Sequence, residues 1–552
     1  MKNKKLIISI VIIVLVIIGI LCFFLFKGKK NKTLSYEINI SNKTYSYNGQ
    51  VLDIKTYTKN DYDTFLEDYN NGNLNDLYIT EFLYDGVSMY KTYDLDDFIK
   101  SGNDVDVKTL DMVVFNVIRK GNYTFSGEIV GGMIAVNSND INGDINIILN
   151  GVKLDTDSKK VPAIYVYNKD ITYTKHKVTI KTEKESTNYI SGGKFKKVSL
   201  IAKEELSNYA SKYSGDASKW YTDYTNYYGV YTKDEINKIL FAKVEADSED
   251  LADGDSYYFY KAAGAISSDI DLYFEGEGSL VVTSKNKEGI ESKGNIEFLG
   301  GTGDYFITSF DDAINTTTKS SVRNARNTLT INVNSLTAMV SLNADEGDAI
   351  DSNGSLIING GDIIALAKPG SDAGLDSESG TIINGGTILA TGDMLDNISN
   401  DSKQKFIVLS FNGSIVKDEV IALLDSNEKT LFTYKTDRNY KYLVYSDATL
   451  DGTYSLYKDG TITGEDSDAY GLLKGVIYTK GTMLGYSGYG NIGGPNNRPN
   501  MNNERPEMPN GELPNMPEQN SEALTLNGTS SNKEFKISGI SNIFSGVTKY
   551  EG

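Results

Sequence analysis

Short runs of alternating apolar and polar residues dominate the chain, and the most regular of them recur. Five segments with the pattern small–apolar–x–Ser/Thr align: Ala265-Ile266-Ser267-Ser268, Gly289-Ile290-Glu291-Ser292, Ala313-Ile314-Asn315-Thr316, Ala349-Ile350-Asp351-Ser352 and Gly374-Leu375-Asp376-Ser377. Their apolar residues step by 24, 24, 36 and 25 positions. In four of them a glycine follows ten positions later (Gly276, Gly300, Gly360, Gly385), and the last three open double glycines. A period near 24 is too short for a βαβ unit, which needs about 30 residues. It predicts an all-β chain built as a parallel β-helix, a solenoid whose rungs pair about 4.8 Å apart. Glycines at a fixed offset then mark corners where the backbone bends.

Earlier and looser coils are predicted at Thr124–Gly127, Met133–Val136, Ile145–Gly151 and Ala163–Val166. The third repeat overshoots its period by twelve residues, and the excess, Thr316–Arg326, carries no strand pattern. On a solenoid such an excess maps to a loop on one face. Between about 200 and 260 the period disappears, and this Tyr-rich stretch, with a helical pattern over Lys233–Ala242, reads as an insertion. Six of the eight prolines fall between Pro495 and Pro517. The expected organisation is a membrane anchor over 1–32, an N-terminal cap or small domain over 33–110, and the β-helix over 111–485. A Pro/Asn-rich linker over 486–521 and a β-like tail over 522–552 complete it.

The anchor rests on Leu6–Phe26, 21 nearly unbroken apolar residues. As a helix they span about 30 Å, one bilayer core. A cleaved secretory signal is the alternative, but its apolar region runs about 7–15 residues and ends at small residues, whereas here Phe26 meets Lys27 directly. The expected localisation is therefore the cell membrane, single-pass, with the acidic bulk extracellular; flanking lysines at both ends leave the orientation to that bulk.

Charge narrows the chemistry. The net charge is −19, and setting aside the seven lysines of residues 1–32 takes it to −26. That excludes an electrostatic nucleic-acid binder. One cysteine excludes a disulfide framework, and one histidine leaves no room for a His-ligated zinc site or a Ser-His-Asp triad. His176 alternates into a strand and is expected to face solvent.

If the repeat's apolar residue points inward, its neighbour points outward. Ser267, Glu291, Asn315, Asp351 and Asp376 then stack one above another, while Glu288, Asp312 and Asp348 lie two residues before the apolar position. Like charges one rung apart repel by roughly 0.9 kcal/mol even in water. Bound cations relieve this, and hard oxygen ligands suit Ca²⁺. The candidate metal ligands are Glu288, Glu291, Asp312, Asp348, Asp351 and Asp376; the alternative is a solvated polar edge.

Trp220, Tyr221, Tyr224, Tyr227, Tyr228 and Tyr231 crowd the insertion, and flat rings stack on sugar faces. Trp220, Tyr224 and Tyr228 are the candidate carbohydrate-binding residues; the alternative is that the rings fasten the insertion to its neighbour. Arg323 and Arg326, in the long excursion beside Asp311 and Asp312, are candidates for the base of a uronate lyase.

The Gly/Ala-Ile-x-Ser coils and the apolar-Asn-Gly-Gly corners resemble a bacterial, mainly clostridial family of carbohydrate-binding domain-containing proteins. The likeness covers roughly 110–485, outside the insertion. It implies a right-handed parallel β-helix like that of pectate lyases, calcium on the solenoid, binding of cellulose and pectic acid, and no lyase activity. The expected function is thus a membrane-anchored, non-enzymatic binder of polygalacturonate or cellulose, assisted by calcium. A calcium-dependent polysaccharide lyase and a surface adhesin or stalk are the alternatives.

Overall fold

The computed structural model describes residues 35–551 apart from 82, 85–88, 91–112, 140, 160, 169–175, 194–197, 203–220, 224–225, 232–256, 260–263, 318–326, 371 and 491–525. Strands dominate, and the one α-helix among the described residues is Tyr62–Asn70. That helix buries Phe65 edge-on to Tyr57, with ring centroids 5.3 Å apart.

The period does set which residues lie side by side. Ile266, Ile290, Ile314, Ile350 and Leu375 pair in one parallel ladder, in register, on successive strands. The overshoot after Ile314 costs nothing in register, because the chain returns to the next rung at Ile350. The ladder continues upstream through Ile164, Ile134 and Phe115. There it meets Leu77–Thr80 antiparallel, in a sheet of ten strands.

The expected architecture is corrected at the next level. The remaining long strands do not run on as the faces of an open solenoid; they form a sheet that closes on itself as a barrel. The sheet includes parallel ladders such as Leu329–Leu356–Thr381. It also includes antiparallel strands from the C-terminal third, where Thr387–Gly392 and Phe406–Ile415 both pair with Tyr440–Ser446. The period reports only the neighbour one repeat away, whereas the same sheet also takes in strands that carry no repeat. Ser35–Asn39 joins the same sheet, parallel to Gly121–Val130.

Inward positions are apolar and almost wholly buried, each isoleucine contributing about 1.5–3 kcal/mol. Phe274 stacks on Phe298 at 4.7 Å, and Tyr305 meets Phe298 edge-on at 4.9 Å. A second core, around Leu409, Leu423, Leu443, Leu456 and Phe544, lies among the C-terminal strands. Arg438 is buried beside it, its Nη1 donating to the carbonyls of Val340, Leu366 and Ala367 at 2.8, 3.1 and 3.0 Å. Asp437 holds the other side of the guanidinium.

The expected transmembrane helix falls on residues outside the described ones. Among the described residues no helix is long and apolar enough to cross a membrane. The expected single-pass membrane localisation finds no support among the described residues.

Candidate functional site

The carboxylates singled out by the repeat lie along the ten-stranded sheet. Glu291, Asn315, Asp351 and Asp376 are register partners on four successive strands, following Ser267. The short strands Ile290–Ser292, Ile314–Thr316, Ile350–Ser352 and Leu375–Ser377 fix them, because each buries its isoleucine or leucine and its Ser or Thr. Only one residue per strand is then left to face the other side.

The structure draws three of the six predicted ligands together. Carboxylate oxygens of Asp348, Asp351 and Asp376 all lie within 4.8 Å of one another. Asp348 reaches this position because Gly347, at φ +140°, lies against Asp311. A Cβ there would sit 2.7 Å from the Asp311 carbonyl oxygen. Asp312 lies one rung back and accepts the Asp348 N–H at 2.8 Å and the Asn315 side-chain amide. Glu288 and Glu291 occupy the rung before that, where Lys287 stands 3.9 Å from Glu288 and pairs with Asp311.

The row is withdrawn from solvent to different degrees: Glu288 and Glu291, with the Asn315 amide, are each 8% exposed, and Asp312, Asp348, Asp351 and Asp376 are half-buried. Burial pushes Asp312 up to about 6. Burial, then the neighbouring carboxylates, push Asp351 up to about 8 and Asp348 up to about 9. Burial raises Asp376, with Asp396 beside it, and raises Glu288, with Glu291 beside it. Each group resists ionisation because its charge is desolvated next to charges of the same sign. Two buried acceptors on these rungs, Glu288 Oε2 and Asn315 Oδ1, receive no hydrogen bond. A buried acceptor without a donor costs about 1–3 kcal/mol.

Sequence reasoning missed Asp396, which accepts the Ser377 N–H at 2.9 Å and so lies beside Asp376. It follows the last repeat, so no period could flag it. His176 departs from expectation: it is 6% exposed, and burial holds its pKa below the usual imidazole range. Trp220, Tyr224, Arg323 and Arg326 lie outside the described residues. Tyr228 falls in the strand Asn226–Tyr231, parallel to Val198–Ala202, but its side chain lies outside the described ones. The helical pattern over Lys233–Ala242 lies outside them as well.

The sequence profile of one protein family matches residues 113–215 and 232–421, more than half of the chain, and its description is carbohydrate-binding domain-containing protein. The chain belongs to that family. A carbohydrate-related function follows from the membership, with a polysaccharide as the partner it implies. No curated protein matches the chain. A solved structure described as the polysaccharide lyase-like protein from C. thermocellum, gadolinium derivative, is 17% identical. It aligns over 52% of this chain and 87% of its own, with a TM-score of 0.27, too low to carry an argument. Membership in the family places the carboxylate row inside its matched region, at 288–376.

Proposed function

We propose that the protein is a non-catalytic polysaccharide-binding module that holds Ca²⁺ on the carboxylate row and uses it to bridge to an acidic glycan such as polygalacturonate. The observation that carries this is the convergence of Asp348, Asp351 and Asp376. Oxygens on opposite sides of a Ca²⁺ ion with ligands at about 2.4 Å are about 4.8 Å apart, and these three carboxylates each place an oxygen within that distance of the others. The donor set fits: three hard oxygen side chains supply a part of the 6–8 ligands calcium takes, and leave room for water or a sugar carboxylate.

Electrostatics favour the same reading. A chain of net −19 repels a polyuronate, and a shared divalent cation reverses the sign of the contact. The raised carboxyls and the unpaired Glu288 Oε2 and Asn315 Oδ1 are what a cation-binding row looks like without its counter-charge. Binding of this kind needs no general base, so the protein is expected to release no unsaturated product from polygalacturonate.

The test is retention of the full chain on polygalacturonate gel with calcium and with chelator, alongside absorbance of the eluate for unsaturated uronates. Retention in calcium, loss in chelator and no absorbance are expected. Equal retention in chelator sinks the bridging role, and a rising absorbance sinks the non-catalytic one.

A further inference from the structure

Residues 526–551, the last described stretch of the chain, complete the C-terminal core from across a gap in the sequence. Their strand Ser541–Tyr550 lies inside the sheet, parallel to Phe406–Ile415 on one edge and antiparallel to Thr482–Gly485 and Gly488–Tyr489 on the other. Phe535–Ile537 pairs antiparallel with Gly452–Lys458. Leu526, Phe535, Ile537, Phe544 and Val547 are all buried there. Phe544 meets Tyr486 and Tyr489 with ring centroids 4.8 and 5.1 Å apart. Asn542, wholly buried, pins the register: its side-chain amide donates to the Phe406 carbonyl at 3.2 Å, and its oxygen accepts the Ser538 N–H at 3.0 Å.

The connection to this segment is far longer than its place requires. The chain leaves the sheet at Gly490, whose N–H donates to the Ile543 carbonyl at 3.1 Å. It is back in the sheet at Asn527, whose carbonyl accepts the Thr548 hydroxyl at 2.9 Å. Ile543 and Thr548 lie on one strand, about 17 Å apart at the rise of an extended chain. The 35 residues from 491 to 525 could reach about 120 Å fully extended. A tether of that length holds its own segment at an effective concentration of about millimolar or less. A neighbour's segment therefore competes once copies are crowded to that level. Charge does not oppose the visit, because residues 526–551 hold three lysines and two glutamates on a chain of net −19.

We infer that residues 526–551 are an exchangeable strand donor, and that copies of this chain join by placing the segment in the C-terminal sheet of a second copy. The visiting segment makes the same pairings that the chain otherwise makes with its own, so exchange leaves no sheet edge open. Only the connection crosses from one copy to the other. Reciprocal exchange gives a closed pair, and one-way exchange extends into a row of copies. Dilution favours the chain's own segment and crowding favours the neighbour's, so local concentration sets the association. The sheet involved is separate from the carboxylate row, and the inference does not depend on what polysaccharide the chain binds.

Cysteine pairing in the full chain, in a Cys22→Ser background, tests it. Ser410 and Ser545 are register partners across the junction. Paired strands lie about 4.8 Å apart, within disulfide reach. The double variant Ser410→Cys/Ser545→Cys reports whether the junction itself closes. The two single variants, mixed at about 1 mM and then oxidised, are expected to give several times more covalent dimer than either gives alone. That excess should fall when the mixture is diluted before oxidation. A double variant that closes while the mixture gives no excess dimer overturns the inference, and a double variant that fails to close overturns the pairing it rests on. A second readout needs no new cysteine. Isotope-light and isotope-heavy chains carrying a protease site within 491–525 are cut, mixed and incubated, and native mass spectrometry should find light bodies holding heavy segments. Absence of such hybrids also overturns it.

Discussion

Replacing Asp351 with Asn should have opposite effects with and without calcium. In the metal-free protein the Asp351 carboxyl sits at about 8 against an ordinary 3.8, because it is buried beside Asp312 and Asp376. At pH 7 it is therefore mostly protonated in the folded chain and ionised in the unfolded one. Each pH unit between 3.8 and 7 favours the unfolded state by about 1.4 kcal/mol, an upper bound of about 4 kcal/mol. Asp351 retains some contact with water, so about half of that, or 2 kcal/mol, is the expected stabilisation by Asn in chelator. For a chain of this length that is a rise in Tm of about 2 °C. In saturating calcium the same change removes one of three converging charged ligands. The variant should then gain much less from calcium than the parent does. Differential scanning calorimetry in chelator and in calcium reads both signs. A fall in Tm in chelator would refute the electrostatic reading, and an undiminished calcium gain would refute the assignment of Asp351 as a ligand.

The pH dependence follows from the same groups. Folded-state values of about 8 for Asp351 and about 9 for Asp348 lie above their unfolded values, so the folded chain binds more protons across that range. Metal-free stability should fall as pH rises from about 4 to about 9, and calcium affinity should climb over its upper part as protons stop competing. Calcium titrations at pH 6, 7.5 and 9 check this, and a flat affinity would contradict it. Arg438→Met should cost about 3–5 kcal/mol in urea unfolding, because it leaves Asp437 without its partner and the carbonyls of Val340, Leu366 and Ala367 without a donor. A cost below about 1 kcal/mol would mean that water or another donor takes over.

Much of the site could be read from the sequence, because strand alternation is local. Once Ile290, Ile314, Ile350 and Leu375 are assigned inward, Glu291, Asn315, Asp351 and Asp376 must share the opposite face, and the period places them on adjacent strands. The row Tyr189, Val281 and Phe306, register partners on three strands of the barrel sheet, was not legible. Tyr189 is 92 positions before Val281, across the insertion, and no period links them. Asp396 was missed for the same reason.

The sequence by itself determined the register of the repeat strands and the sign of the charge. Those follow from residue type and from a period that each strand carries within itself. Tertiary structure alone decided that the large sheet closes as a barrel, in which Tyr440–Ser446, a strand outside the repeat, pairs with both Thr387–Gly392 and Phe406–Ile415. It also decided that the carboxylates are half-buried or more, which turns a polar stripe into a row whose charges resist ionisation. Burial and closure depend on what the rest of the chain packs above each residue, and spacing along one strand carries no record of that.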